Sequence, residues 1–390
     1  MLSYIIRSFT MSKTRNNSID VLKGITALLM ILGHTAYFTG RGSDTTLALI
    51  IGIINLTTFS VFLFLSGTGM FLSYLRPDIS NEEFKAEKGK ITHKALKLLL
   101  SYYLIALIAI LPETLSPSFD LLPKIIRILL LIDIPSYVEF LIPFIFFYML
   151  IYFLRPVIKS ITNSIIYTII FSILLYIVGT IYYSVDLPHE LIFIKSILVG
   201  HSDWYRFPIL QYSSVFLLGA YFGKLIAYKD QAYENRTKKI MTFILFLVAS
   251  IPFIYQLIFN KNGAQLTRWP PDPMFLLLGI SYVTMMLFIL EKYLGKIKFR
   301  FLTFVGRNLF DYYIIHLVLL YLFKYTINHS FSGNADFLIY FCLIVILGTL
   351  IVYFSNSHNV LSPLRERFSL RSFDSVYFRI FYVGVGIWIV

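Results

Sequence analysis

The stretch from Ile19 to His34, IDVLKGITALLMILGH, is apolar over most of its length yet carries Asp20, Lys23 and His34. An imidazole titrates near neutral pH and can take a proton from a hydroxyl, while a cation in a dry site steadies developing negative charge. Lys23 and His34 are eleven residues apart. On a helix that is three turns plus about 20°, so both side chains share one face, roughly 16 Å apart along the axis. Asp20 precedes Lys23 by three positions and is placed to neutralise it. Ala27 and Met30 lie between them on that face, with Gly24 and Gly33 alongside, small enough to admit another helix or a slender ligand. A lysine near a span end also fits a snorkelling anchor, and a buried histidine also fits a packing group. An ionisable side chain within a span nevertheless marks a site.

A second histidine belongs with these. His316 has Asn308 and Tyr312 on its face at four-residue steps, and its depth, roughly 18 Å from the end of its segment, is close to that of His34. Two histidines at one depth can share a cavity or form a helix-packing network. In two loops, HSDWYRFP (His201 to Pro208) and LTRWPP (Leu266 to Pro271), Trp204, Arg206, Arg268 and Trp269 combine rings that stack on sugars with guanidinium groups that grip hydroxyls or acids. Trp and Tyr also collect at membrane interfaces for solvation alone.

The elements that position these residues are membrane helices. At 57% hydrophobic and 14% charged, the 390 residues have too little polar surface to cover a soluble domain of this size. Hydropathy predicts an all-α polytopic membrane protein of about ten spans: 19–38, 47–75, 95–111, 137–154, 162–184, 208–228, 240–259, 274–294, 301–323 and 335–355. Shorter apolar pieces at 125–132 and 191–199 are too brief to cross. With both termini cytoplasmic, 24 Lys and Arg fall on the cytoplasmic side and 8 on the other, as a multi-spanning topology requires. The net charge of +13 is therefore topology signal rather than a nucleic-acid surface. The single cysteine, Cys342, excludes a disulfide framework and a cysteine metal site. The expected organisation is a cytoplasmic segment at 1–18, a membrane domain at 19–355 and a cytoplasmic or interfacial tail at 356–390.

RNNSIDVLKGITALLMILGH resembles the first-span signature of the acyltransferase 3 family of integral membrane proteins: a basic residue, Ile-Asp-x-Leu-(Arg/Lys)-(Gly/Ala), and a His separated from that Arg or Lys by ten intervening residues. VFLFLSGTGMFLSYL resembles the family's aromatic-rich second span with its Ser-Gly pair, Ser66 and Gly67. FVGRNLFDYYIIHLVLL resembles its late segment, through Gly306, Asn308, Leu309, Tyr313 and His316, and RWPPDPMFLLLGI its Pro-Pro approach to a span at Pro270 and Pro271. The similarity runs in order through about residues 15–325.

The resemblance implies an O-acyltransferase, most often an O-acetyltransferase, in the cytoplasmic (inner) membrane of a bacterium. It takes an acyl group from acetyl-CoA or another acyl-CoA inside the cell and passes it to a hydroxyl of a cell-envelope polysaccharide or glycolipid outside. His34 is then the base, with direct transfer and an acyl-histidine both open. Lys23 is then an electrostatic contact for the donor thioester or a member of a pair with Asp20; Ser66, Asn308, Tyr313 and His316 stabilise the oxyanion or support it. Coenzyme A thiolate leaves readily, so no metal is needed. Relatives carry Arg-x-x-Arg where the basic segment 76–97 feeds the third span; this chain has Lys94 and Lys97, which attract phosphates without a guanidinium's paired bonds. Trp204, Arg206, Arg268 and Trp269 are the acceptor-side residues. The competing readings are a proton-coupled transporter or flippase, whose duplicated halves are not seen here, and a scaffold that has lost catalysis.

Overall fold

The computed structural model describes residues 16–40, 45–111, 120–202, 206–227, 240, 267–292, 299–326 and 334–357. These hold twelve helices: α1 (Asn17–Phe38), α2 (Thr45–Met70), α3 (Asn81–Ile110), α4 (Leu121–Leu129), α5 (Leu141–Ile161), α6 (Ile165–Tyr183), α7 (Ile192–Leu198), α8 (Ile209–Ala227), α9 (Pro273–Lys292), α10 (Arg300–Arg307), α11 (Leu309–Thr326) and α12 (Asn334–Ser357). No strand occurs among the described residues, only an isolated bridge between Arg268 and Pro271. Among the described residues, eight helical stretches are long and apolar enough to cross a bilayer. The protein is an all-α polytopic membrane protein. Helices α4 and α7, over the two short apolar pieces, have 9 and 7 residues, less than a crossing needs.

Local sequence explains where the helices start. Asn16 caps α1, its side chain accepting from Ser18 N at 2.9 Å and Ile19 N at 3.4 Å. Ser80 and Glu83 form a reciprocal capping box that opens α3 well before its apolar stretch. Helix α3 is therefore much longer than the expected span at 95–111.

Burial separates an inner bundle from a lipid-facing shell. The apolar windows of α2 and α8 are 78% buried, whereas that of α6 is 17% buried and turns Ile166, Ile170, Ile173 and Ile177 outward. The inner helices approach closely through glycine. A Cβ on Gly67 would lie 2.1 Å from Phe216 O, so the Ser-Gly pair seats α2 directly on α8. A Cβ on Gly306 would lie 1.8 Å from Asp20 O, which makes α10 and α1 the tightest of these crossings.

Two expectations about spans are corrected. The expected span at 301–323 is two helices, α10 and α11, broken at Asn308. The Asn308 side chain donates to Phe304 O at 2.9 Å, competing with the helical ladder. The predicted span at 137–154 begins later, at Leu141, and runs through Pro156 to Ile161, with Leu154 kinked (φ −113°, ψ 22°) ahead of the proline. The expected span at 240–259 lies outside the described residues, except for Ile240, as does the tail beyond Ser357.

Candidate functional site

Two cavities lie along α1. The first, about 380 Å³, is basic: Lys23, Lys94, Lys97 and Arg307 line it, with Ser66 and Tyr313. The second, about 340 Å³, is lined by His34 with Tyr37, Asn55, Tyr137, Glu139 and Arg268. Met30 and Phe140 line both, so these two side chains form the septum between them. One helix face thus carries Lys23 into one chamber and His34 into the other.

The histidines meet. His34 Nδ1 lies 2.9 Å from His316 Nε2, and the rings stack with centroids 5.2 Å apart. His316 Nδ1 lies 2.8 Å from Tyr312 O. A carbonyl only accepts, so His316 Nδ1 carries a proton and donates it; in the neutral ring Nε2 is then an acceptor. His34 Nδ1–H must donate to that acceptor, which leaves the lone pair of His34 on Nε2. The chain of bonds therefore sets the tautomer of His34 that a base requires, with His316 in the orienting role. His316 is 1% exposed and sealed within the bundle, while His34 is partly open at the cavity.

The turn ahead of α5 is held from α11. Tyr313 OH donates to Tyr137 O, and Tyr321 OH donates to Ser136 O at 2.9 Å. Tyr137 adopts φ 69°, a left-handed conformation costly for a side chain of this size, and its ring lies 4.6 Å from that of His34. The same turn presents Glu139 and Phe140. On the opposite side, Thr267 N donates to the Asp272 carboxylate at 2.7 Å, and Tyr212 OH donates to Arg268 O at 3.2 Å. These bonds fix the loop that carries Arg268 and Trp269, both of which line the histidine cavity.

In the basic cavity Lys94 Nζ donates to Tyr74 OH at 2.9 Å, and Lys97 Nζ lies 4.0 Å from Asp311 Oδ1. Asp20 is buried, and its Oδ2 receives Arg307 Nε at 3.2 Å across the α1–α10 crossing. Lys23 was the expected partner of Asp20; Arg307 takes a place there that sequence spacing did not indicate. Arg307 also supplies the guanidinium missing from the Lys94–Lys97 pair. Asn308 shapes the helix break and lines neither cavity. Arg206 also lines neither: it is buried and donates to Ser196 Oγ at 2.8 Å and Ile132 O at 2.7 Å, tying loops together. Trp204 lies outside the described residues. Glu139 was missed because the apolar run around it read as an uninterrupted span.

A multi-helix membrane protein with a tautomer-locked histidine in one of two adjoining cavities is built for chemistry inside a bilayer. The chain belongs to the acyltransferase family whose sequence model, described as an acyltransferase domain, matches residues 16–354. It is thus a membrane acyltransferase, with an acyl donor and an acceptor as its substrates. Comparison with curated proteins finds no match.

Proposed function

We propose that the protein is an O-acyltransferase, most often transferring acetyl, that moves the acyl group of a cytoplasmic acyl-coenzyme A to a hydroxyl of a cell-envelope polysaccharide or glycolipid on the far side of a bacterial inner membrane. The excess of Lys and Arg on one side supports a cytoplasmic position for the basic cavity. Lys23, Lys94, Lys97 and Arg307 there meet the donor's phosphates, and Ser66 offers a hydroxyl near the septum, whereas the Tyr313 hydroxyl is committed to Tyr137 O. The histidine cavity takes the acceptor.

His34 Nε2 removes the proton of the acceptor hydroxyl as its oxygen attacks the thioester carbonyl. The tetrahedral intermediate expels coenzyme A as thiolate, which recovers the proton from His34, giving an ester and a free thiol. His316 acts through His34 as a positioning residue. The same lone pair also serves a two-step route through acyl-His34; rapid mixing with donor alone separates the two, because only the second releases a stoichiometric burst of thiol.

The observation that carries this reading is the bond chain Tyr312 O, His316, His34, which leaves a proton-accepting nitrogen on His34, a residue that lines the cavity across the septum from the lysines. His34→Ala, in membranes at equal protein level, is expected to lower transfer from acyl-coenzyme A about a hundred- to ten-thousandfold, the usual weight of a general base. Transfer within threefold of wild type refutes the assignment.

A further inference from the structure

The histidine cavity holds two charged side chains that do not satisfy each other. Glu139 Oε2 is enclosed and has no hydrogen-bond partner, and Arg268 Nε is likewise enclosed without one. No ion pair within 4.0 Å joins them, although each feels the other's charge and Glu139 partly offsets the burial that pulls the Arg268 pKa down. Arg268 is instead held between rings, 4.7 Å from the centroids of both Phe207 and Trp269, and Phe207 stacks on Phe59 at 3.7 Å. Enclosed polar atoms without partners are costly and call for an explanation, and here both border a cavity that a ligand's polar groups could fill.

We infer that Glu139 and Arg268 form the acceptor subsite beside His34 and that they select an uncharged sugar through two neighbouring hydroxyls, one donating to the Glu139 carboxylate and the other accepting from the Arg268 guanidinium. This rests on the reading of the cavity as the acceptor chamber and adds to it a new residue and a substrate class. The signs of the two groups suggest the class. Glu139 and Arg268 are the only acidic and basic side chains among the described residues lining this cavity, one of each sign when both are ionised. An anionic sugar would gain Arg268 but meet Glu139 in a poorly hydrated space, where like charges repel strongly. A neutral diol pairs with both and leaves neither charge bare. Trp269 and Tyr37, also at this cavity, offer ring faces for the sugar's C–H surface. Tyr37 is steadied by Asn55, whose Nδ2 donates to its hydroxyl at 2.9 Å.

The test measures binding apart from catalysis. Full-length protein in lipid nanodiscs is titrated with a panel of neutral methyl hexosides, with the corresponding methyl uronates, and separately with coenzyme A. Transfer from acetyl-coenzyme A to each glycoside is measured in parallel. The expected result is binding of at least one neutral hexoside and weaker binding of its uronate. Glu139→Gln and Arg268→Gln should each weaken hexoside binding about ten- to a hundredfold, the cost of losing a charged hydrogen bond. Coenzyme A should bind unchanged, which shows that the variants are folded. Tighter binding of uronates, no binding by any neutral hexoside, or hexoside binding indifferent to both substitutions overturns the inference. Hexoside binding that depends on Glu139, without acyl transfer, upholds the subsite and removes the transferase reading of it.

Discussion

The two cavities share Met30 and Phe140 yet handle charge in opposite ways. In the basic cavity three of the four cations are lysines on long, flexible side chains: Lys94 Nζ meets a tyrosine hydroxyl and Lys97 Nζ lies 4.0 Å from Asp311 Oδ1. Such groups rearrange cheaply around a flexible, multiply charged ligand. In the histidine cavity the groups are clamped by rings and backbone bonds, and Glu139 Oε2 and Arg268 Nε are enclosed without a hydrogen-bond partner. Position there is prepaid during folding, as precise placement of one reacting atom demands. The contrast fits a mobile donor tail on one side and a fixed acceptor hydroxyl on the other.

The largest effect after His34 itself is expected at His316, where the comparison is easiest to break. If His316 orients His34, His316→Phe removes the acceptor for His34 Nδ1–H and should lower kcat about ten- to a hundredfold while the donor KM stays put. His316→Gln, whose amide oxygen can stand where Nε2 stood, should recover most of that loss. A purely packing role predicts the reverse order, because Phe fills the stacked position better than Gln. Steady-state kinetics of both variants decides between them, and equal activity in the two discards the orienting role.

The parts of this site visible in sequence are those that depend on local periodicity. Lys23 and His34 share a face because eleven residues close three helical turns, and no tertiary knowledge is needed to see it. The contact of His34 with His316 spans 282 positions; hydropathy placed the two at one depth but not side by side. The break at Asn308 was invisible, since the run from 301 to 323 is apolar enough on average to read as one span despite Arg307, Asn308 and Asp311, and the break goes with a single side-chain bond to Phe304 O. Glu139 was lost for a related reason: one acid beside a long apolar run changes hydropathy little, and its importance comes from the turn that Tyr313 and Tyr321 hold. Gly306 was recognised from resemblance, but its physical reason, the absence of room beside Asp20 O, is tertiary.

A smaller effect probes the flexible side of the comparison. Lys94 and Lys97 replaced together by Gln should raise the donor KM about three- to tenfold, the sum of two exposed charge pairs, and leave kcat unchanged. Because these charges are screened by salt, the difference from wild type should shrink as ionic strength rises. A donor KM that does not move, at low salt, means that the cavity binds no phosphate-bearing donor through these lysines.

The smallest effect is expected at the septum. Phe140 lies between the cavities, its ring stacked on Tyr313 at 5.1 Å and edge-on to Phe62 at 5.6 Å. A thioester carbonyl reaching His34 from the basic cavity has to pass this ring, and the acyl chain behind it has to fit among Phe62, Phe144 and Leu141. Phe140→Ala should therefore shift the preference from acetyl toward butyryl donors by about fivefold, less than the roughly tenfold or more of one well-fitted methylene because the new space is loosely bounded. Phe140→Trp should shift it the other way, by crowding the same passage. Competition between acetyl- and butyryl-coenzyme A for a single acceptor reads the ratio directly, independent of how much protein survives each substitution. If both variants keep the wild-type ratio, the acyl group does not travel past Phe140, and the two cavities are joined by another route.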